Sequence, residues 1–403
     1  AGAAMPSSAL IDRLLREVTD DPDLVLGERT IETYCEHLRE SARLLADCSL
    51  TTNRIDRIES FHYLLLMTAY AVEAAITNHD PLEPMWCAPS QFHLLDWGGA
   101  SPDGVYRRAM VRDDHAYRVW GAVGNASYFS MDFRLSRPMV TIMTADLDLD
   151  AGGNFEIFIG GSPRDRQWWP LHPGTTGLTT REFFDDWIAA RRSRLRIECL
   201  DGDLMAPRPE HNAARVAAEF DAVSDWILEG GIRFWITQSL ALEQGSPNRF
   251  QPELARTDTK LPVVTTALWR LAPDEALIIE LPDPEADFWG YQLASSLWHT
   301  LDYANRITSL NHAQLQPDPD GLFRVVLAHR DPGVANWLDT TGLERGVLIL
   351  RFCGAKAATV PKTRLVRLPD IGSDLPGVAR FGTEARRAQI AERREGVAHM
   401  VCD

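Results

Sequence analysis

Lysine is almost missing from this sequence. Only Lys260, Lys356 and Lys362 stand among its 41 basic residues, and the others are arginine. So few amines leave little room for Schiff-base chemistry, which needs a lysine nucleophile. The arginine skew fits a GC-rich bacterial coding sequence, since arginine codons are GC-rich. An excess of positive charge is also lacking: 57 acidic residues give a formal net charge of −16. That balance argues against nucleic acid and anionic membranes as partners. The six cysteines are scattered, with no C-x-x-C pair, which removes the structural zinc signature and favours free thiols in a reducing cytoplasm.

Long apolar runs and catalytic signatures are absent too. The most apolar stretch, Phe61 to Ile76, is interrupted by His62, Tyr63 and Glu73 and falls short of the ~20 residues of a membrane span, so it predicts a buried helix. There is no G-x-S-x-G elbow, no Walker loop and no G-x-G-x-x-G fingerprint. The eleven histidines contain no H-x-H or H-E-x-x-H pair, so a metallated jelly roll is disfavoured. The expectation is a cytoplasmic protein with no cofactor and no metal.

What is present is a chain able to bury a large core: 403 residues, 45% of them hydrophobic, with twelve tryptophans. Ala1 to Ala4 ahead of Met5 read as an expression remnant. Residues 5–100 read as a helical region. Leu10, Ile11, Leu14, Leu15 and Val18 share one face, Ile31, Tyr34, Leu38, Leu44 and Leu45 mark a second helix, and about Ile55 to Ile76 a third. Residues 101–205 switch to a period of two and read as a β-unit. Residues 206–258 read as a helical insert with Val216, Phe220, Val223, Trp226 and Ile227 on one face and Gly230-Gly231 as its stop. A second β-unit follows over 259–370, then a C-terminal helix or tail over 371–403.

The two β-blocks match each other. At an offset of 168, Gly153 pairs with Gly321, Trp169 with Trp337, Gly174 with Gly342 and Phe184 with Phe352, while Trp120-Gly121 and Trp289-Gly290 match at 169. The fold class expected is α+β: a helical N-terminal region plus two duplicated antiparallel β-sandwich or jelly-roll units with a helical insert. Where the copies differ, packing does not account for the polar groups. The first ends a strand in Gly160-Gly161-Ser162, the second in Ala328-His329-Arg330.

The densest polar cluster runs from Asp302 to Asp339. The turn Asp318-Pro319-Asp320-Gly321 suggests a hairpin that brings His312 beside His329. On that reading His312 and His329 are general acid/base candidates and Asp339 an orienting carboxylate. Arg306 and Arg330 bind an anion, and Asn311, Tyr303, Trp337 and Trp169 contact substrate. A hydrogen-bond network between two sheets accounts for the same residues. The acidic pairs Asp20-Asp21 and Asp185-Asp186, and Asp146, Asp148 and Asp150, read as turns and solvated faces.

Ser309 to Gln314 (SLNHAQ), His329 to Gly333 (HRDPG), Asn336 to Thr340 (NWLDT), Asp287 to Leu293 and Pro361 to Arg364 together resemble the bacterial domain of unknown function 1214 family, over about Asp274 to Arg367. The resemblance implies a domain that often follows a partner β-domain in a double jelly roll that can trimerise, and it brings no reaction. Three functions stay open: an enzyme using acid/base chemistry on a small, largely apolar metabolite in a β-sandwich cleft, a non-catalytic small-molecule or carbohydrate binder, and an assembly protein forming a homo-oligomer.

Overall fold

The computed structural model describes residues 22–51, 53–77, 80–87, 97–136, 138–202, 212–251, 260–356 and 359–402. The face predicted at Leu10 to Val18 and the Asp20-Asp21 pair lie outside them. Two long helices come first, α1 (Pro22–Asp47) and α2 (Arg54–Thr77). Pro22 opens α1, where a missing N–H costs nothing. Asn53 caps α2 by accepting the Asp56 backbone N–H at 2.9 Å.

The first β-unit has eight strands: β1 (Gly104–Met110), β2 (Tyr117–Ala122), β3 (Tyr128–Arg134), β4 (Thr141–Met143), β5 (Asn154–Ile159), β6 (Trp168–Trp169), β7 (Gly177–Phe183) and β8 (Arg194–Cys199). The second has β9 (Val263–Arg270), β10 (Glu275–Pro282), β11 (Phe288–Ala294), β12 (Ser309–Asn311), β13 (Leu322–Ala328), β14 (Trp337–Asp339), β15 (Arg345–Cys353) and β16 (Lys362–Arg367). Sheets β1-β7-β3-β4 and β6-β5-β2-β8 in the first unit answer strand for strand to β9-β15-β11-β12 and β14-β13-β10-β16 in the second. The pairing is antiparallel except for β5 with β6 and β13 with β14, which run parallel in both units.

The matching topology corrects one part of the sequence register. Gly153 and Gly321 both precede equivalent strands in the left-handed region, at φ 74° and 82°, as do Gly174 and Gly342 at 84° and 88°. Trp120, however, lies on β2, whose counterpart is β10, whereas Trp289 lies on β11, the counterpart of β3. The offset changes within the unit: β3 and β11 begin 160 residues apart (Tyr128, Phe288), and β4 and β12 begin 168 apart (Thr141, Ser309). About eight residues are therefore added to the second unit between β11 and β12, in the segment 295–308.

Each unit buries its own core. The second is the larger and includes Trp269, Leu277, Ile279, Trp289, Tyr291, Val325 and Leu350. The first centres on Tyr117, Val119, Met131, Phe133 and Ile157. The units meet through Phe183, stacked on Phe288 with ring centroids 5.0 Å apart.

The insert supplies α3 (Ala213–Asp225) and α4 (Phe234–Glu243). Gly230-Gly231 does not end the helix as expected. The chain passes through a π-helical stretch, Trp226–Arg233, straight into α4. The fully buried Tyr63 of α2 donates its hydroxyl to the Gly231 carbonyl at 3.0 Å, giving the widened turn a partner from outside the helix. The insert and the N-terminal helices pack as one layer: Tyr34 meets Phe220 edge-on at 5.6 Å, and Tyr70 lies 4.7 Å from Trp226. The chain closes with α5 (Ile371–Asp374) and α6 (Thr383–Cys402). Among the described residues, no helix is long and apolar enough to cross a membrane.

Candidate active site

The segment added to the second unit builds a cleft. Residues 295–308 leave β11 through a tight turn in which Trp298 holds φ 62°, an uncommon value for a large side chain. Ser295 closes this turn: its hydroxyl accepts the Leu297 N–H at 3.2 Å and the His299 N–H at 3.3 Å. The loop is tied down on two sides. Trp298 donates its indole N–H to Ser239 of α4 at 3.1 Å, and Ser239 donates to the Ser296 carbonyl at 2.6 Å. Further on, the buried Arg393 of α6 donates to the Tyr303 carbonyl at 2.9 Å.

Opposite stands α2, presenting Ile55, Glu59 and His62 at i, i+4 and i+7, hence on one face. Between helix and loop lies a cleft of about 370 Å³, walled by these three, by His299, Asp302, Asn305 and Arg306, and by Leu301, Thr341 and Leu343. The rings of His62 and His299 meet edge to face, 6.3 Å apart, and Tyr63 backs His299 at 5.9 Å. Nε2 of His299 is buried and has no hydrogen-bond partner among the described residues. Burial, with a smaller contribution from His62, pushes the His299 imidazole down to about 4, so it is neutral at pH 7. An unpartnered buried ring nitrogen beside a cleft wall is the acid/base candidate of this site.

The residues singled out from the sequence separate into groups. Arg306 stands in the cleft wall and reaches back to Asp339, which has His329 nearby. Arg306 donates to the buried Asp339 carboxylate at 3.2 Å, Asp339 also accepts the Thr341 N–H at 2.8 Å, and burial raises its pKa above the usual carboxylate range. His329 is occupied at both nitrogens, with Thr340 Oγ1 at 2.7 Å and the Leu271 carbonyl at 3.1 Å. Arg330 is exposed.

His312 does not join them. It stacks on Trp289 at 6.3 Å and faces Asp185 at 3.6 Å, near Phe323, which packs against the same Trp289. His329 follows β13 six residues beyond Phe323, which at ~3.3 Å per residue puts the two imidazoles on the order of 20 Å apart. The turn at Asp318 to Gly321 forms, with Gly321 donating to Asp318 at 2.8 Å, but it crosses from one sheet to the other, because β12 pairs with β11 and β13 with β10. A hairpin would have placed the histidines side by side, and the sandwich places them apart.

The remaining residues are held by packing. Asn311 is wholly buried and donates to Asp103 at 2.7 Å and to the Asp185 carbonyl at 3.0 Å, joining the two units. Tyr303 packs on Trp187, Trp337 donates to the Ala328 carbonyl at 3.1 Å under Arg386, and Trp169 packs on the first core. Asp150 accepts four hydrogen bonds in its own turn, two from the Gly152 and Asn154 backbone and two from the Asn154 amide, and Asp186 accepts two, as their readings as turns required. His115, Cys199 and Asp201 bring ligand atoms within 4.8 Å of one another, but Arg112 Nη2 lies 2.7 Å from His115 Nε2. A guanidinium so placed competes with a cation there.

Sequence reading passed over His299, Glu59 and His62. The signal that would have found His299 is the length of the β11–β12 connection against its β3–β4 counterpart, 295–308 against 135–140.

No family model and no curated protein matches the chain. Among solved structures, it is similar to an uncharacterised protein from Burkholderia cenocepacia, with a TM-score of 0.78 at 25% identity, covering 85% of this chain and 98% of that one. A Vibrio parahaemolyticus protein matches with a TM-score of 0.44 at 11% identity, covering 76% and 98%. Bacillus subtilis oxalate decarboxylase matches with a TM-score of only 0.16 at 10% identity, covering 78% and 88%. The first shares the overall fold, and the other two are too distant to bear on chemistry.

Proposed function

We propose that the protein is an enzyme that moves a proton on a small, largely apolar molecule held in the cleft between α2 and the 295–308 loop. The observation that carries this reading is His299: a neutral imidazole whose buried Nε2 has no partner, packed edge to face on His62 in the wall of a cavity large enough for a metabolite. The leucine and isoleucine walls suit an apolar body, and Arg306 at the rim suits a polar end group.

The reading differs from the sequence expectation in its residues and its place. The acid/base candidate is His299 rather than His312 or His329, and the cleft lies against the helical layer rather than inside a sandwich. Asp339 keeps a positioning role behind it, holding Arg306 at the rim. The likeness of Asp274 to Arg367 to the domain of unknown function 1214 family is part of this proposal and adds no chemistry to it.

The test is turnover of small ketones, hydroxy acids and lactones in D₂O, read by NMR as product formation or deuterium incorporation. A general acid/base contributes ~10²–10⁴-fold, so His299→Gln is expected to lower the rate by that factor with the fold intact. Equal turnover by wild type and His299→Gln sinks the proposal.

A further inference from the structure

A second cavity, of about 330 Å³, lies where the two β-units and the helical layer meet. It is separated from the cleft by one turn: Ala100 lines the cavity and its carbonyl accepts the Thr300 hydroxyl, from the cleft wall, at 2.8 Å. Its charge is unlike the rest of the molecule. Three guanidinium groups line it, Arg108 from β1, Arg181 from β7 and Arg351 from β15, and among the described residues no carboxylate does.

Ordinary structural pairing accounts for one of the three. Arg181 is bonded to Asp132, which stands outside the lining. Arg108 donates to a neutral acceptor, the Tyr70 hydroxyl, at 2.6 Å. Arg351 is buried, and it too spends its donors on neutral groups: the Gln292 side chain at 2.8 Å and the Gly99 carbonyl at 3.0 Å. A guanidinium has five N–H donors, so both keep donors in reserve among the described residues. Gathering three cations in a partly buried space is unfavourable, and burial with the fields of Arg108 and Arg351 pulls Arg181 below its usual value. A net negative protein has carboxylates to spare, yet none among the described residues lines this space.

The walls give the other half of the specificity. Trp97, Trp235 and Phe183 surround the arginines, Arg108 lying 5.9 Å from the Trp97 ring and Arg351 5.5 Å from Phe183. The volume falls within the range of small-ligand sites. The wall is also preformed. Gly98 and Gly99 hold φ 64° and 67°, and a Cβ on Gly99 would stand 2.6 Å from Ile349 Cδ1.

We infer that this cavity binds a small organic anion, a carboxylate carried on a flat apolar body, with Arg108 and Arg351 holding the carboxylate and the aromatic walls holding the body. Guanidinium forks match carboxylates in two-point geometry, and the ring faces match the planar remainder. The site is distinct from the His299 cleft and does not depend on the chemistry proposed there.

The probes are 1-naphthoate, 1-naphthylmethanol, acetate and inorganic phosphate, titrated by calorimetry and by quenching of tryptophan fluorescence. Expected is saturable one-site binding of 1-naphthoate, at least tenfold tighter than the alcohol and than acetate or phosphate, and weakened at least tenfold in Arg108→Gln. The alcohol binding as tightly as the acid overturns the inference, as does phosphate equalling naphthoate or Arg108→Gln binding like wild type. The ligand comparison needs no variant, so it decides even if Arg108→Gln fails to fold. Unchanged naphthoate binding in His299→Gln keeps this result separate from the fate of the cleft.

Discussion

His62 of α2 and His299 of the second β-unit meet edge to face with ring centroids 6.3 Å apart, joining the helical layer to the second β-unit in the wall of the cleft. The contact exists only because the β11–β12 connection is longer than its β3–β4 counterpart and reaches out to the helix.

The first prediction concerns pH. His299 holds its proton at about 4 in the fold against 6.5 when solvated, so the unfolded chain binds more protons between those values. Stability therefore rises from pH 4 to about 6.5 and is flat in this group above it. Asp56, raised to about 6 mainly by burial, works in the opposite sense between 3.8 and 6. Comparing wild type with His299→Gln by urea unfolding cancels that contribution. The gap is expected to shift in favour of wild type as pH rises from 4 to 6.5. A pH-independent gap would contradict the burial of the ring.

His329 and His299 are expected to part ways on mutation. His329→Ala removes two satisfied hydrogen bonds, a loss of about 1–3 kcal/mol of stability, with turnover preserved. His299→Gln loses turnover and keeps stability at neutral pH. Melting curves and rates on the same two proteins distinguish a strut from an acid/base group.

Asn311 fastens the two units. It donates to Asp103, which also accepts the Trp187 indole N–H at 2.9 Å and is pushed above the normal carboxylate range by burial. Asn311→Ala leaves a buried carboxylate short of a donor and should cost ~1–3 kcal/mol or more, seen as a lower urea midpoint. An unchanged midpoint would mean that the interface relaxes around the gap.

Arg345 joins the helices to the second unit. It donates to Glu243 at 3.0 Å and to the Ser49 carbonyl at 2.5 Å, and sits 3.8 Å from the buried Asp56. Removing one partner of a buried pair typically costs 3–5 kcal/mol, so Arg345→Met should destabilise by about that much. Without the arginine, Asp56 moves further up, and an acid raised in the fold loses stability as pH rises through its window. The penalty is accordingly larger at pH 8 than at pH 5, a contrast that thermal unfolding at the two pH values would measure.

The sequence alone determined many of the local elements and the matching glycine turns of the two β-units. Periodicity placed α2, and matching glycines marked equivalent turns at Gly153 and Gly321, because helix phase and turn conformation are properties of a few adjacent residues. The sequence also drew attention to Arg306, which lines the cleft, and to Asp339, which lies behind it. It could not decide which histidines share a cavity. The Asp318 to Gly321 turn looks the same whether it closes a hairpin or carries the chain between sheets, and only the strand pairing settles that. The π-helical turn through Gly230-Gly231 was hidden likewise, since its support comes from Tyr63 on another helix. His299, the three arginines and their aromatic walls are each unremarkable along the chain. Their chemistry arises from neighbours brought together by packing, and burial, not residue type, sets it.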